Sequence, residues 1–138
     1  MSACIFCDIV AGRAPAALVY HDGGITAFLD VRPLFKGHVL VVPDGHAETL
    51  VDIDPATLMA LFAVVQRLSG AVVRGLGAEG SFVAVNNRVS QSVPHLHVHV
   101  VPRAKGDGLR GFFWPRTKYA DAAEQEHYRA RITAALGG

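Results

Sequence analysis

The stretch Pro94-His95-Leu96-His97-Val98-His99-Val100-Val101-Pro102 constrains the fold more than any other part of the chain. Histidines and aliphatic residues alternate through it. Successive side chains of a β-strand point to opposite faces, so His95, His97 and His99 share one face while Leu96, Val98 and Val100 share the other. A helix would spread both sets around its axis, and the β-branched valines also favour a strand. The predicted strand runs from His95 to Pro102. One face belongs in a core and the other carries a row of imidazoles about 7 Å apart.

That strand needs partners, and the rest of the chain supplies them. Ser81–Asn86 is a second strand, and the loop between the two is too short for a helical crossover, so they pair antiparallel. His38–Pro43 is a continuous aliphatic run, which reads as a central strand bounded by Gly37 and Asp44-Gly45. Ala17–His21 and Ile25–Asp30 flank Asp22-Gly23-Gly24 and form a hairpin. Ile5–Val10 is a short helix stopped by Gly12. The best helix opens at Asp54-Pro55, an N-cap followed by proline at the first helical position. Its apolar stripe is Leu58, Leu61, Phe62, Val65, Leu68 and Val72, and Gly75 and Gly77 end it. Ala104–Thr117 has no clear period. Asp121–Leu136 is a helix with a capping-box start at Asp121 and Glu124 and a short apolar face of Tyr128, Ile132 and Leu136. The pattern is a single α+β domain over residues 1–138 on an antiparallel sheet of about five strands, with a long central helix, a C-terminal helix and a C-terminal extension from about residue 104.

Charge and composition exclude several functions. With 13 basic and 12 acidic residues and a net charge of +1, no charged block offers a footprint for duplex nucleic acid or an anionic membrane. No apolar run in the sequence approaches the roughly 20 residues of a membrane span, and the N-terminus lacks a signal-peptide pattern. The expectation is a soluble, cytoplasmic protein. Both cysteines fall in Cys4-Ile5-Phe6-Cys7. This spacing suits half of a tetrahedral zinc site, and equally two reduced cysteines in a buried turn.

The chemistry of the histidine row follows from its geometry. A nucleophilic imidazole needs one ring nitrogen free and the other fixed by a hydrogen bond, often to a backbone carbonyl. His97, at the centre of the row, is best placed for this. An ordinary imidazole, with a pKa of about 6.5, is largely neutral at neutral pH, as attack requires. Ser92 lies in the loop just before the strand and supplies a hydroxyl. No Gly-x-Ser-x-Gly elbow is present, which favours attack at phosphorus over acyl transfer. A zinc-dependent hydrolase with a three-histidine metal centre is a second reading, although alternation spreads three histidines too widely to bind one ion easily.

His95-Leu96-His97-Val98-His99-Val100-Val101 resembles the signature of the histidine triad (HIT) superfamily. Three further segments are similar to family segments in family order: Cys4–Gly12, Ala27–Pro33, and Gly37–Pro43 followed by His46. Phe112-Phe113-Trp114-Pro115-Arg116 resembles a bacterial subgroup. The resemblance implies a HIT-like fold, usually a homodimer, and a nucleotide hydrolase or transferase related to the Hint and Fhit branches. Such enzymes attack the α-phosphate of phosphoramidates or dinucleoside polyphosphates, form a nucleotidyl-histidine and release a nucleoside monophosphate. By position His97 would be the nucleophile, His99 would contact phosphate oxygen, the carbonyl of His95 would orient His97, and Ser92 and Gln91 would line the phosphate side. Asp30 would bind the ribose hydroxyls and Asn86 would lie near phosphate and ribose. Phe6, Ile9, Phe28 and Val31 would wall the base pocket. Catalysis would need no cofactor. A structural zinc would take Cys4, Cys7, His46 and His95, as in some bacterial members. The alternative is a purine-nucleotide-binding module with little turnover. The C-terminal region from Asp107 to Leu136 departs from the short tail of the Hint-like branch, so the tail carries no substrate assignment.

Overall fold

A computed structural model describes residues 3–109 and 116–136; Arg110 to Pro115, and with them most of the Phe112–Arg116 segment, lie outside the described residues. The elements run α1 (Ile5–Val10), β1 (Leu18–Asp22), β2 (Ile25–Leu29), β3 (Val39–Pro43), a 3-10 turn (Leu50–Asp52), α2 (Pro55–Leu76), β4 (Gly80–Val85), β5 (Val98–Arg103) and α3 (Ala122–Leu136). The five strands form one antiparallel sheet in the order β1-β2-β3-β5-β4. The chain divides into two compact units, Met1–Asp107 and Gly108–Gly138. The first holds the whole sheet.

Local chemistry explains the boundaries. The β1–β2 turn is the two-residue Gly23-Gly24 link with both φ angles positive, at 58° and 81°, which matches the twist of the strands it joins. Thr26, fully buried on β2, donates to Asp44 Oδ1 at 2.6 Å and meets His21 Nδ1 at 2.8 Å, pinning this hairpin to the end of β3. The Asp54 side chain accepts from the Thr57 N–H at 2.7 Å and caps α2. Gly77 ends α2 in the left-handed conformation. Gly75 lies inside the helix, because an exposed glycine weakens a helix without breaking its hydrogen-bond ladder.

The sheet separates two apolar layers. Ile25, Ala27, Val39, Val41, Leu96, Val98 and Val100 pack on one face against Leu61, Val64, Val65 and Val72 of α2. Phe28, Leu40 and Val42 point to the other face, where Phe6, Ile9 and Val10 of α1 cover them. The expected α2 stripe shifts: Val64 is buried, whereas Leu58 is 38% exposed. The membrane-span expectation also needs correction. α2 has 22 residues and a window of mean hydropathy 1.7, long and apolar enough to span by composition, since alanines and valines continue around the stripe; here one face packs on the sheet. In the second unit, Asp121 Oδ1 accepts from the Glu124 N–H, and Glu124 reaches back to the Ala120 N–H rather than to that of Asp121. Tyr128, Ile132 and Leu136 on α3 are all exposed.

Candidate active site and metal cluster

The histidine faces are as alternation requires. Leu96, Val98 and Val100 enter the α2 core, and His97 and His99 face the opposite side. The strand itself is shorter than expected. Its ladder with β3 begins at Val98, opposite Val41, so His95 and His97 lie before it. Other bonds hold that approach: the Leu96 N–H donates to the Ala47 carbonyl at 2.7 Å, and His95 Nε2–H donates to the Pro43 carbonyl at 2.9 Å. The rings are also nearer than a flat strand implies. The His97 and His99 centroids stand 5.0 Å apart at 63°.

A cavity of about 670 Å³ opens over this face. His97, His99, Ser92 and Asp30 line it, and Phe6, Ile9, Phe28 and Val31 contribute apolar wall. Its size and mixed lining suit a small polar ligand with an aromatic or apolar end. Register explains the convergence: Phe28 pairs with Leu40, Leu40 with His99, and His99 with Ala84, so these side chains form one row across the sheet. Two expected residues stand apart. Asn86 follows the last β4 ladder pair and is exposed outside the cavity lining, although on the face of Ala84 and His99. Gln91 is turned away. Its amide donates to the Glu48 carbonyl at 2.6 Å and accepts from the Arg88 N–H at 2.8 Å, so it braces the loop instead of lining the phosphate side. Arg88 and Ser90 in that loop have positive φ of 70° and 61°, a strained path that leads into Ser92.

Hydrogen bonds assign the tautomers. His97 Nδ1 lies 2.8 Å from the His95 carbonyl, which can only accept, so Nδ1 carries the proton and Nε2 keeps its lone pair. His38, which sequence reasoning passed over, fixes His99. His38 Nδ1 accepts from the Leu34 N–H at 3.1 Å, so its Nε2–H donates to His99 Nδ1 at 2.9 Å. His99 therefore holds its proton on Nε2, a buried atom with no partner among the described residues. Burial, then the neighbouring His97 and His38, lower the His99 pKa to about 4. Burial also lowers that of His38, against the opposing pull of Asp30. Both rings are neutral at neutral pH. In the sequence His38 stood at the head of β3, inside the family-like Gly37–Pro43 segment, with no role assigned to it.

The remaining triad histidine turns elsewhere. His95 is fully buried, and its Nδ1 lies 3.4 Å from Cys4 Sγ and 3.6 Å from Cys7 Sγ. His46 Nδ1 lies 3.3 Å from Cys7 Sγ, and the four ligand atoms are all within 4.8 Å of one another. Zn–S and Zn–N bonds of about 2.3 and 2.0–2.1 Å place sulfur and nitrogen donors about 3.5 Å apart on a tetrahedral ion, so the separations fit. His95 donates from Nε2 to Pro43, which leaves Nδ1 as the ligand atom with its ring already oriented. Burial first, then the adjacent Cys4 sulfur, raise the Cys7 pKa, a cost that a bound cation would reverse. The three triad imidazoles do not converge on one ion: His97 Nδ1 is held by a carbonyl, His99 Nδ1 by His38, and His95 faces the thiols.

The HIT domain family profile matches residues 11–106. The chain belongs to the HIT domain family. A HIT-like protein of Mycobacterium tuberculosis, itself uncharacterised, is 42% identical over 108 residues, covering 77% of this chain and 75% of its own. An adenylylsulfatase, HINT3, of Arabidopsis thaliana is 34% identical over 77% of this chain and 55% of its own. An adenosine 5′-monophosphoramidase of Schizosaccharomyces pombe is 33% identical over 81% of this chain and 83% of its own. Among solved structures, a HIT family member from Bacillus subtilis superposes with a TM-score of 0.85 at 30% identity, covering 96% of each chain. A zinc-bound histidine triad protein from Mycobacterium smegmatis has a TM-score of 0.74 at 37% identity, covering 96% of this chain and 97% of its own. The five-stranded antiparallel α+β fold is that of the HIT family.

Proposed function

We propose that this HIT protein is a nucleotide hydrolase or transferase that attacks the α-phosphate of nucleoside 5′-phosphate derivatives through His97. The observation that carries this is the His97 tautomer: Nδ1–H bonded to the His95 carbonyl, with the Nε2 lone pair on the cavity face. Nε2 attacks phosphorus, a P–N bond forms, and the bond to the leaving group breaks, with the leaving group taking a proton from solvent. The imidazole becomes cationic, and the His95 carbonyl stabilises that charge through Nδ1–H. Water then attacks the same phosphorus, the P–N bond breaks, and nucleoside monophosphate leaves. His99 Nε2–H, without a partner among the described residues and fixed by His38, donates to a phosphate oxygen as charge develops. Asp30 takes the ribose hydroxyls; one carboxylate oxygen is already held by the Arg32 N–H at 2.9 Å. Phe6, Ile9, Phe28 and Val31 take the base.

The relatives named for phosphoramidase and adenylylsulfatase activity support an adenosine 5′-phosphate derivative as substrate. In this reading Cys4, Cys7, His46 and His95 hold a structural zinc that takes no part in the chemistry and needs no companion cofactor. The same reading places the enzyme in the cytoplasm as a homodimer, with no nucleic-acid or membrane partner. The outer edge of β4, beyond β5, and the exposed Leu58 and Met59 of α2 support a twofold contact. Sedimentation of the purified protein tests it.

The decisive assay compares wild type with His97→Ala on adenosine 5′-phosphoramidate and a diadenosine polyphosphate. AMP release by wild type alone is expected, with the variant slowed at least about a thousandfold yet still binding AMP. Quenching wild type in alkaline denaturant should trap a nucleotidyl adduct on the peptide carrying His97, because the P–N bond to an imidazole is labile in acid and stable in base. A His97→Ala variant that keeps most of its turnover would overturn the mechanism.

A further inference from the structure

The metal cluster and the nucleoside wall share one short helix. α1 has only six residues, far below the length at which an isolated helix holds itself in water. Its position therefore depends on what it is tied to. Cys4 caps it and Cys7 lies in its first turn, and their sulfurs reach His95 and His46. His46 follows β3 and His95 precedes β5, so the cluster clamps α1 to both central strands. The one charged side chain of α1, Asp8, pairs locally with Arg13.

Phe6 lies between the two cysteines in sequence and joins the cluster to the cavity. Its buried ring stands edge-on to His95 at 5.9 Å, to His97 at 5.1 Å and to Phe28 at 5.3 Å. One side chain thus touches a metal-cluster histidine, the nucleophile and the opposite apolar wall. Ile9, one turn further on, lines the same cavity. A cation that drew the two sulfurs onto His46 and His95 would fix the helix that carries Phe6 and Ile9, and with it the width of the cavity they line.

We infer that Phe6 couples the Cys4–Cys7–His46–His95 metal site to nucleotide binding, so that zinc and nucleoside monophosphate each tighten the other. This rests on the proposed nucleotide reading of the cavity. Coupling between two binding sites is reciprocal: if zinc raises affinity for AMP by some factor, AMP raises affinity for zinc by the same factor. Typical couplings of this kind run from about 5- to 150-fold, and a factor of about ten is expected here.

The test uses the full chain and AMP. Calorimetry gives the AMP Kd with zinc loaded and after chelation, with circular dichroism as the check on folding. Chelator competition, started from the zinc-loaded folded protein, gives zinc affinity with and without saturating AMP. The second measurement keeps the test decisive if the chelated chain unfolds. Wild type should show the same roughly tenfold factor both ways. His46→Ala should lower zinc affinity and bring AMP binding to the chelated value. Phe6→Ala should bind both ligands, AMP more weakly, with a coupling factor near one. Equal zinc affinity with and without AMP in wild type would overturn the coupling and leave the nucleotide reading standing. Zinc-loaded protein that fails to bind AMP would overturn both. Protein that takes up no zinc would overturn the coupling alone, as would a Phe6→Ala variant that keeps the wild-type factor.

Discussion

Replacing His38 isolates the part of the site that acts through another residue. His38 is only 3% exposed and its side chain makes two hydrogen bonds, accepting from the Leu34 N–H and donating to His99 Nδ1. His38→Leu deletes both. Leaving a buried polar atom unpaired costs about 1–3 kcal/mol, and water can reach the Leu34 amide more easily than His99 Nδ1, so a stability loss of about 2 kcal/mol is expected. The effect on turnover has a different origin. Without its donor, His99 is free to move its proton to Nδ1, which turns a lone pair instead of an N–H toward the phosphate. Complete loss of such a donor costs about 10²–10³ in kcat; a ring divided between tautomers loses about 10- to 100-fold. His38→Gln can restore the pattern, because its amide NH₂ reaches the position of Nε2. Steady-state release of AMP from adenosine 5′-phosphoramidate, with urea unfolding alongside, separates the two effects. The expected order of kcat is wild type, then His38→Gln, then His38→Leu, with KM changing much less. Equal kcat for the two variants would refute the tautomer reasoning and leave His38 a packing residue.

Other outcomes follow from the same contacts. The His99 pKa is lowered to about 4, chiefly by burial, so between its ordinary value and about 4 the unfolded chain takes up a proton that the folded chain refuses. Stability should therefore fall as pH drops from about 6.5 toward 4, by about 3 kcal/mol unscreened and about 1–2 kcal/mol once solvent in the cavity is counted. Urea unfolding at pH 7 and pH 4.5 measures this, and His99→Asn should flatten its share of the slope while His38 keeps its own. Gly37 has φ of 97°, and a Cβ there would run into Leu76 Cδ1 at the end of α2. Gly37→Ala should cost about 1–2 kcal/mol or more by thermal unfolding; no loss would mean the loop relaxes freely. Asp54→Ala removes the α2 N-cap and should cost about 1 kcal/mol, with Asp54→Asn retaining most of it.

Periodicity carried most of the fold in the sequence itself. Alternation through His95–Val100 assigned each side chain to a face without any knowledge of its partners, because a strand's period of two is local. Asp54-Pro55 and Gly23-Gly24 marked boundaries for equally local reasons of capping and positive φ. The likeness of four ordered segments to the histidine triad family brought in the cysteine–histidine cluster, which spacing alone left as half a metal site. The tertiary structure decided whatever depends on partners distant in the chain. His38 lies 61 residues from His99, and nothing near either one announces their bond. Gln91 looked free to serve phosphate until the fold brought the Glu48 carbonyl within 2.6 Å of its amide. The resemblance put Phe6 in the wall of a base pocket, and only the fold brings its ring against both His95 of the cysteine–histidine cluster and His97. A side chain's rotamer, tautomer and hydrogen-bond partner are set by the groups that packing delivers to it, and those come from other strands. The chain's own order therefore specifies which face a residue takes, while the assembled sheet specifies what it meets there.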